Sequence, residues 1–181
     1  MKIYLIRHGE ADSKIEGVPL TKKGLDESRI VANELLNYKF EKIYFSDLLR
    51  AKQTAEIYLE LNPDIETVSD ERLIEFYRVL IGGPEKIGTS ENREINDKKR
   101  ADEIFEEILK KGEDVAIFCH GNIIRYYLNK VLKSKENLWE SLTINNCSIS
   151  IINWEENNLK IEGINLNKNL VREEKKEVYL E

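Results

Sequence analysis

Short apolar runs alternate along this chain with longer segments in which apolar residues recur every three or four positions. Runs of the first kind are typical of strands, and spacing of the second kind is typical of helices with one buried face. The predicted strands are residues 2–7, 42–46, 65–69, 115–119, 147–154 and 159–166. The predicted helices are residues 22–37, about 47–61, 92–111 and 122–132. Strands therefore alternate with helices over most of the chain.

Local signals mark the ends of several of these elements. Thr21 is placed to cap the first helix, and Ser46 or Asp47 is placed to cap the second. Gly112 follows the third helix, where a glycine commonly ends a helix. The polar stretch at 155–158, Glu-Glu-Asn-Asn, predicts a hairpin between the last two strands.

The segment 115–119, Val-Ala-Ile-Phe-Cys, is almost wholly apolar, which is typical of a central strand buried on both faces. Parallel strands need crossover connections of about the length of a helix, so the alternation predicts a layered α/β fold with a mostly parallel sheet. Ligands of such sheets bind beyond the carboxyl ends of the strands. The ligand-binding residues are therefore expected at that edge.

The composition narrows the class of protein. The 181 residues are 41% hydrophobic and 34% charged, enough apolar material for the core of one domain. The net charge of −6 argues against nucleic acid or a membrane surface as a partner, and no apolar run of 18 residues is present to cross a bilayer. Cys119 and Cys147 are far apart, and the apolar stretch at the start is too short for a signal peptide. We therefore expect a cytoplasmic protein; its oligomeric state is not readable.

Both histidines of the chain stand where a predicted strand ends, and each is followed by a glycine. Arg7-His8-Gly9 follows the first strand, and His120-Gly121-Asn122 follows the apolar strand. Arg50 lies near the start of the helix after the second strand. Three separate segments thus bring two arginines and two histidines to one edge of the sheet.

Such a cluster of cationic donors suits a phosphoryl group, whose oxygens accept paired hydrogen bonds from guanidinium groups. The glycine after each histidine would let the backbone turn sharply and approach a ligand closely. The helix that opens at Gly121 and Asn122 would add backbone N–H donors and a favourable dipole. The residues alone therefore point to a phosphate-binding site.

Five segments, in order, carry a resemblance to a known family: LIRHGEA at the start, PLTKKG at 19–24, FSDLLRAKQTA at 45–55, RLIE at 72–75 and FCHGNIIR at 118–125. They resemble the histidine phosphatase superfamily, the phosphoglycerate mutase-like proteins. The resemblance runs from residue 1 to about 170, which implies a single catalytic domain followed by a charged tail at 171–181. It also implies a three-layer α-β-α sandwich around a mostly parallel mixed sheet.

The resemblance also implies roles for the clustered residues. His8 would be the nucleophile and become a phosphohistidine, and Glu75 would protonate the leaving oxygen and later activate water. The phosphoryl oxygens would be held by Arg7, Arg50 and His120. Gly121 and Asn122 would add contacts to the substrate or its phosphate. The substrate would be a phosphorylated small molecule, with no cofactor and no metal, because the arginines supply the electrostatic stabilisation.

The phosphatase branch is favoured over the mutases. The mutases commonly have a threonine and an asparagine where this chain has Ala11 and Lys14, and they carry a longer insertion between the acid and the second histidine. Here 44 residues separate Glu75 from His120, which implies an open pocket and hydrolysis. The leaving-group side would be built by residues 76–96, where Tyr77 and Arg78 are placed to contact it.

Other interpretations stay open at this stage. Cys119 and Arg125 have the C-x5-R spacing of cysteine phosphatases, although the loop between them holds a single glycine. His8, Glu10 and Asp12 alternate as metal ligands on a strand would, although the flanking arginines would repel a cation. Mutase-type transfer, phosphohistidine hydrolysis and a phospho-ligand binding module without turnover are further alternatives. Glu71 is the second candidate for the acid.

Overall fold

The structure is a computed structural model that describes residues 1–13, 17–76, 87–133 and 142–166. Within these ranges six strands form one sheet: β1 (Lys2–Arg7), β2 (Lys42–Phe45), β3 (Glu66–Ser69), β4 (Val115–Cys119), β5 (Ile149–Glu155) and β6 (Asn158–Leu166). Their order is β3-β2-β4-β1-β5-β6, with β1 to β4 mutually parallel and β5 antiparallel to both of its neighbours. The predicted strand bounds agree with these to within two residues.

Helices cover both faces of the sheet: α1 (Lys22–Leu35), α2 (Leu49–Leu59), α3 (Ile87–Lys111) and α4 (Gly121–Leu132). Alternate residues of β1 enter different halves of the core, because successive side chains of a strand point to opposite faces. Ile3 packs in the cluster that contains Ile104 of α3, and Tyr4 packs in the cluster that contains Val31 of α1. The three-layer α-β-α sandwich with a mixed, mostly parallel sheet is therefore confirmed.

Most predicted end signals are also found. The Thr21 side chain accepts a hydrogen bond from Gly24 N, 3.0 Å away, and caps α1. Gly112 follows α3 with φ +71°, a left-handed conformation that glycine adopts without strain. Glu156 and Asn157 both have positive φ at the turn of the last hairpin, as two-residue hairpin loops require.

Two helix starts differ from the prediction. The residue before α2 is Leu48, whose apolar side chain makes no cap hydrogen bond, so neither Ser46 nor Asp47 is the N-cap residue. Helix α3 begins at Ile87, five residues earlier than the periodicity indicates. Gly88 lies in the added turn, because a single glycine costs a helix only about 1 kcal/mol and does not end it.

Some expectations fall outside the described residues: those for Lys14, for the segment 77–86 with Tyr77 and Arg78, and for the tail at 171–181. The assignment of residues 1–170 to one domain stays a prediction. In the part of the chain that the structure describes, no helix is both long and apolar enough to span a bilayer. Both cysteines are buried.

The register of the central strands sets the position of the site. Arg7 pairs with Cys119 across β1 and β4, so the residues that follow each strand are neighbours. His8 N donates to Cys119 O at 3.0 Å, and the rings of His8 and His120 have centroids 5.1 Å apart. The fold therefore places both histidines side by side at the carboxyl edge of the sheet.

Candidate active site

His8 is buried, and its hydrogen bonds define which nitrogen carries the proton. Nδ1 lies 2.7 Å from Gly9 O, and a carbonyl oxygen only accepts, so Nδ1 is protonated. Arg50 Nε donates to Nε2 at 3.0 Å, so Nε2 carries the lone pair. Burial, with the charges of Arg50 and Arg7 adding to it, lowers the pKa of His8 to about 3. The ring is therefore neutral near pH 7, with its nucleophilic nitrogen facing the arginines.

His120 is fully buried, and its Nε2 lies 2.8 Å from Ser46 Oγ. Burial lowers the pKa of His120, and the neighbouring charges of Arg50 and Arg7 lower it further. The other ring nitrogen, Nδ1, is buried and has no hydrogen-bond partner among the described residues. One polar atom of His120 thus remains available beside His8.

The two arginines come from different elements. Arg7 ends β1, and its Nη1 donates to Ile144 O, while its buried Nε has no partner in the ranges that the structure describes. Arg50 lies in the first turn of α2. A Cβ atom added at Gly121 would lie 3.4 Å from Arg7 Nε, an ordinary van der Waals distance, so the start of α4 packs directly beside this guanidinium. The arrangement concentrates positive charge around the two histidines.

Glu75 lies against the N-terminus of α4, next to this charge. Its Oε1 accepts hydrogen bonds from Phe76 N and Asn122 N, each at 3.0 Å. Burial raises the pKa of Glu75, although both N–H groups and the two arginines act in the opposite direction. A carboxyl group with a raised pKa is suited to giving and taking protons. The second candidate acid, Glu71, is exposed at the start of a 3-10 turn.

The seven residues singled out from the sequence thus come together at one edge of the sheet. Asn122 is buried there, and its Oδ1 accepts from Arg125 Nη1 at 2.8 Å. Gly121 and Asn122 form the first turn of α4, where N–H groups have no partner within the helix. The positions agree with the expected cluster, and the chemical role of each residue is a proposal.

The sharp turn expected at the glycine after His8 is not found. Gly9 does not have the positive φ that marks a sharp glycine turn, and no ligand approach is needed to explain it. A Cβ atom added at Gly9 would lie 2.5 Å from Gly24 O. Gly9 is therefore required because the loop that carries His8 packs directly on the backbone of α1.

Several residues that support the site were missed. Thr54 Oγ1 accepts from Gly9 N at 3.1 Å, and Asn146 Nδ2 donates to His8 O at 3.2 Å. Cys147 N donates to Arg7 O at 3.0 Å. The spacing of Thr54, four residues after Arg50 on one helix, could have indicated a shared face. The position of Ser46 at the end of a predicted strand could also have indicated a residue near the site.

The structure disfavours the cysteine mechanism. Cys119 is fully buried in the core cluster with Ile104 and Phe105, and burial raises the pKa of its thiol, which keeps it protonated. The residues after it begin helix α4 at once and do not form a phosphate loop. Arg125 donates from Nε to Leu142 O, so its guanidinium is part of the protein scaffold.

Glu10, considered above as a metal ligand, contacts Thr21 and Lys23. Thr21 Oγ1 donates to Glu10 Oε1 at 2.8 Å, and Lys23 Nζ lies 3.4 Å from Glu10 Oε2. These contacts direct the carboxylate toward α1 and away from His8. In the described ranges, no three His, Cys, Asp or Glu side chains are grouped as metal ligands would be.

Comparison with known proteins identifies related chains. Over 165 residues the chain is 27% identical to the serine/threonine-protein phosphatase Pgam5, mitochondrial, of Caenorhabditis briggsae, covering 82% of this chain and 56% of that protein. It is 28% identical over 179 residues to a 2,3-bisphosphoglycerate-dependent phosphoglycerate mutase of Thermoplasma acidophilum, covering 86% and 88%. The chain thus spans little more than half the length of the first of these relatives.

Solved structures share the fold. A phosphoserine phosphatase of Entamoeba histolytica in complex with 3-phosphoglyceric acid superposes with a TM-score of 0.74 at 20% identity, over 94% of this chain and 99% of that one. The model of the histidine phosphatase superfamily (branch 1) matches residues 3–167, which include every residue of the cluster. The chain therefore belongs to branch 1 of the histidine phosphatase superfamily.

Proposed function

We propose that the protein hydrolyses a phosphomonoester through a phosphohistidine on His8. The Nε2 lone pair attacks phosphorus, the N–P bond forms, and the bond to the leaving oxygen breaks. Glu75, in its protonated form, gives its proton to that oxygen. In the second half, the Glu75 carboxylate takes a proton from the water that attacks phosphorus. The N–P bond then breaks and its electron pair returns to Nε2, which restores both residues.

The surrounding donors stabilise the charge that develops on the phosphoryl oxygens. Arg50 Nε, which donates to Nε2 in the structure, transfers its hydrogen bond to a phosphoryl oxygen and frees the lone pair. Arg7 Nε and His120 Nδ1 are further donors, since both are buried without a partner in the described part of the chain. Gly121 adds an N–H group from the start of α4, and Asn122, whose N–H holds Glu75, lies beside it. These donors make the reaction independent of a metal.

The observation that carries the proposal is the orientation of His8. Its Nδ1–H is held by Gly9 O, and its Nε2 is directed at Arg50, so a neutral imidazole presents its nucleophilic atom to a cationic pocket. A structural histidine in the core would need neither the lone pair nor the arginines. Glu75, with its raised pKa, lies at the same cluster and supplies the proton that the leaving group needs.

Phosphoryl transfer between two hydroxyl groups is the second candidate, because a relative named as a mutase covers nearly the whole chain. Both reactions share the phosphohistidine and differ in what accepts the phosphoryl group. The relatives and structural neighbours include phosphatases, so we place hydrolysis first. The structural neighbour named as a phosphoserine phosphatase, in complex with 3-phosphoglyceric acid, supports a phosphorylated small molecule as substrate. Release of inorganic phosphate separates hydrolysis from transfer.

Hydrolysis of p-nitrophenyl phosphate with added chelator, followed as released phosphate, tests the proposal. We expect activity in the wild-type protein, its retention in Cys119→Ser, and its loss in His8→Ala. The Cys119→Ser variant is the control, because it changes a buried side chain at the end of β4 and leaves Arg7 and Arg50 unchanged. Turnover in His8→Ala, or loss of turnover with the chelator, would contradict the mechanism.

A further inference from the structure

Arg100 of helix α3 holds the chain segment that carries Glu75. Its Nη1 donates to Arg72 O at 2.7 Å and to Ile74 O at 2.9 Å. Its Nη2 donates to Glu75 O at 3.2 Å. Three carbonyl groups within four residues are thus bound by one side chain. Because the short 3-10 turn ends at Leu73, Ile74 and Glu75 lie beyond regular structure, where carbonyl groups need other partners.

The remaining donors of Arg100 are also in use. Nε and Nη2 both donate to Asp97 Oδ1, at 3.0 Å and 2.8 Å, and both side chains are mostly buried. A guanidinium group has five N–H donors, and these contacts occupy all of them. Arg100 therefore has no donor left for a phosphoryl oxygen. It is not a substrate-binding residue, and its charge is balanced by Asp97.

Aromatic packing holds the same segment from the other side. The Arg100 guanidinium lies 5.2 Å from the ring centroid of Phe76, the residue after Glu75. The Phe76 ring in turn packs on Tyr126 of α4, with centroids 5.1 Å apart, and Tyr126 Oη donates to Asp102 of α3. The backbone around Glu75 is thus held between α3 and α4. The carboxylate of Glu75 is held separately, by Asn122 N.

From these contacts we infer that Arg100 is a positioning residue for Glu75, acting through the backbone of residues 72–75. The inference rests on the proposed role of Glu75 as the general acid. Proton transfer depends on placement to within a fraction of an ångström, so a looser segment lowers the rate of the steps that need the proton. Lysine keeps the charge but has three donors on one atom, and it does not reproduce the planar fork.

The dependence of rate on the leaving group tests this inference. We would measure kcat/KM for p-nitrophenyl phosphate, whose leaving group needs little protonation, and for phenyl phosphate, whose leaving group needs more. Arg100→Lys should lower kcat/KM for phenyl phosphate about tenfold and change that for p-nitrophenyl phosphate much less. A general loss of structure would lower both equally. Asp97→Asn leaves all five donors of Arg100 in place, so it should change the ratio of the two kcat/KM values less than Arg100→Lys does. If Arg100→Lys is unstable, Asp97→Asn takes its place in the test.

Arg72→Lys is the matched control. The Arg72 side chain pairs with Asp70 at 2.6 Å and with Glu107 at 2.9 Å, so it ties the same segment to α3 without binding the Glu75 backbone. It should leave the ratio of the two substrates unchanged. The double variant Glu75→Gln/Arg100→Lys should be no slower on phenyl phosphate than Glu75→Gln alone, because the two residues act as one unit.

The outcomes separate the inference from the proposed function. An unchanged ratio in Glu75→Gln would refute the acid role of Glu75, and the inference with it. A changed ratio in Glu75→Gln together with an unchanged ratio in Arg100→Lys and Asp97→Asn would overturn the inference alone. Additive losses in the double variant would also overturn it, because Arg100 would then act independently of Glu75.

Discussion

At His120 a single hydroxyl group decides which ring nitrogen carries the proton. Ser46 Oγ accepts a hydrogen bond from Leu48 N at 3.3 Å and lies 2.8 Å from His120 Nε2. In the second contact either atom can donate. Because Ser46 Oγ already accepts from Leu48 N, we assign its hydroxyl proton to Nε2, which places the proton of the neutral ring on Nδ1. That is the tautomer that offers an N–H to a phosphoryl oxygen.

Replacing Ser46 by alanine should release this constraint. The buried Nε2 loses its donor, which costs about 1–3 kcal/mol of stability, and part of the population adopts the opposite tautomer. We expect weaker competitive inhibition by inorganic phosphate and a lower kcat. Nitrogen-15 shifts of the imidazoles report the tautomers directly, and the chain has only two histidines to assign.

Ser150→Ala is the matched control for this change. Ser150 is also fully buried, but its Oγ has no hydrogen-bond partner in the described part of the chain, so its loss should cost little stability and leave both histidines unchanged. If Ser46→Ala kept the imidazole shifts and the phosphate affinity of the wild-type protein, the assigned tautomer of His120 would be wrong.

On the scale of elements, the start of α1 and the loop that carries His8 pack backbone against backbone. A Cβ atom at Gly24 would overlap the carbonyl of Glu10, two residues after His8. Gly24 has an ordinary helical conformation, so alanine there would normally stabilise α1 by about 1 kcal/mol. The contact with the Glu10 carbonyl makes the substitution destabilising instead, because a backbone carbonyl does not move aside as a side chain does.

We therefore expect Gly24→Ala to lower the free energy of unfolding by about 1–3 kcal/mol and to lower kcat as well, since the loop shifts with His8. Gly112→Ala is the control. Its left-handed φ makes alanine cost about 1–2 kcal/mol, but no atom lies within 4 Å of the added Cβ, and activity should persist. Urea unfolding and p-nitrophenyl phosphate kinetics measure both effects. A fully active Gly24→Ala would show that the loop yields without moving His8.

The surroundings of His8 include features that the sequence predicts and features that it does not. Strands β1 and β4 were predicted to the residue, because an apolar run bounded by polar residues is a local signal. The sheet edge that holds His8 and His120 followed from the strand order rule. The support of His8 was not predictable in this way. Asn146 lies 138 residues from His8 along the chain and meets it only because β5 pairs with β1.

For the whole molecule, the two buried histidines link stability to pH. The pKa of His8 is lowered from 6.5 to about 3, and that of His120 is lowered too, mainly by burial. Between pH 3 and pH 6.5, His8 binds a proton in the unfolded chain but not in the folded chain. The free energy of unfolding therefore has its full value above pH 7 and falls as the pH drops. Glu75, with a raised pKa, acts in the opposite direction and offsets part of this loss.

The size of this effect follows from the two pKa values of His8. From pH 7.5 to pH 5, protonation of one histidine in the unfolded chain lowers the free energy of unfolding by about 2 kcal/mol. His8→Asn should therefore show a pH dependence about 2 kcal/mol smaller than that of the wild-type protein over this range. Urea unfolding at four pH values from 7.5 to 5 measures it, and the comparison cancels Glu75 and the surface carboxylates. Parallel curves for the two proteins would mean that His8 is protonated equally readily in the folded and unfolded chain. That result would contradict the neutral, buried imidazole on which the proposed attack at phosphorus depends.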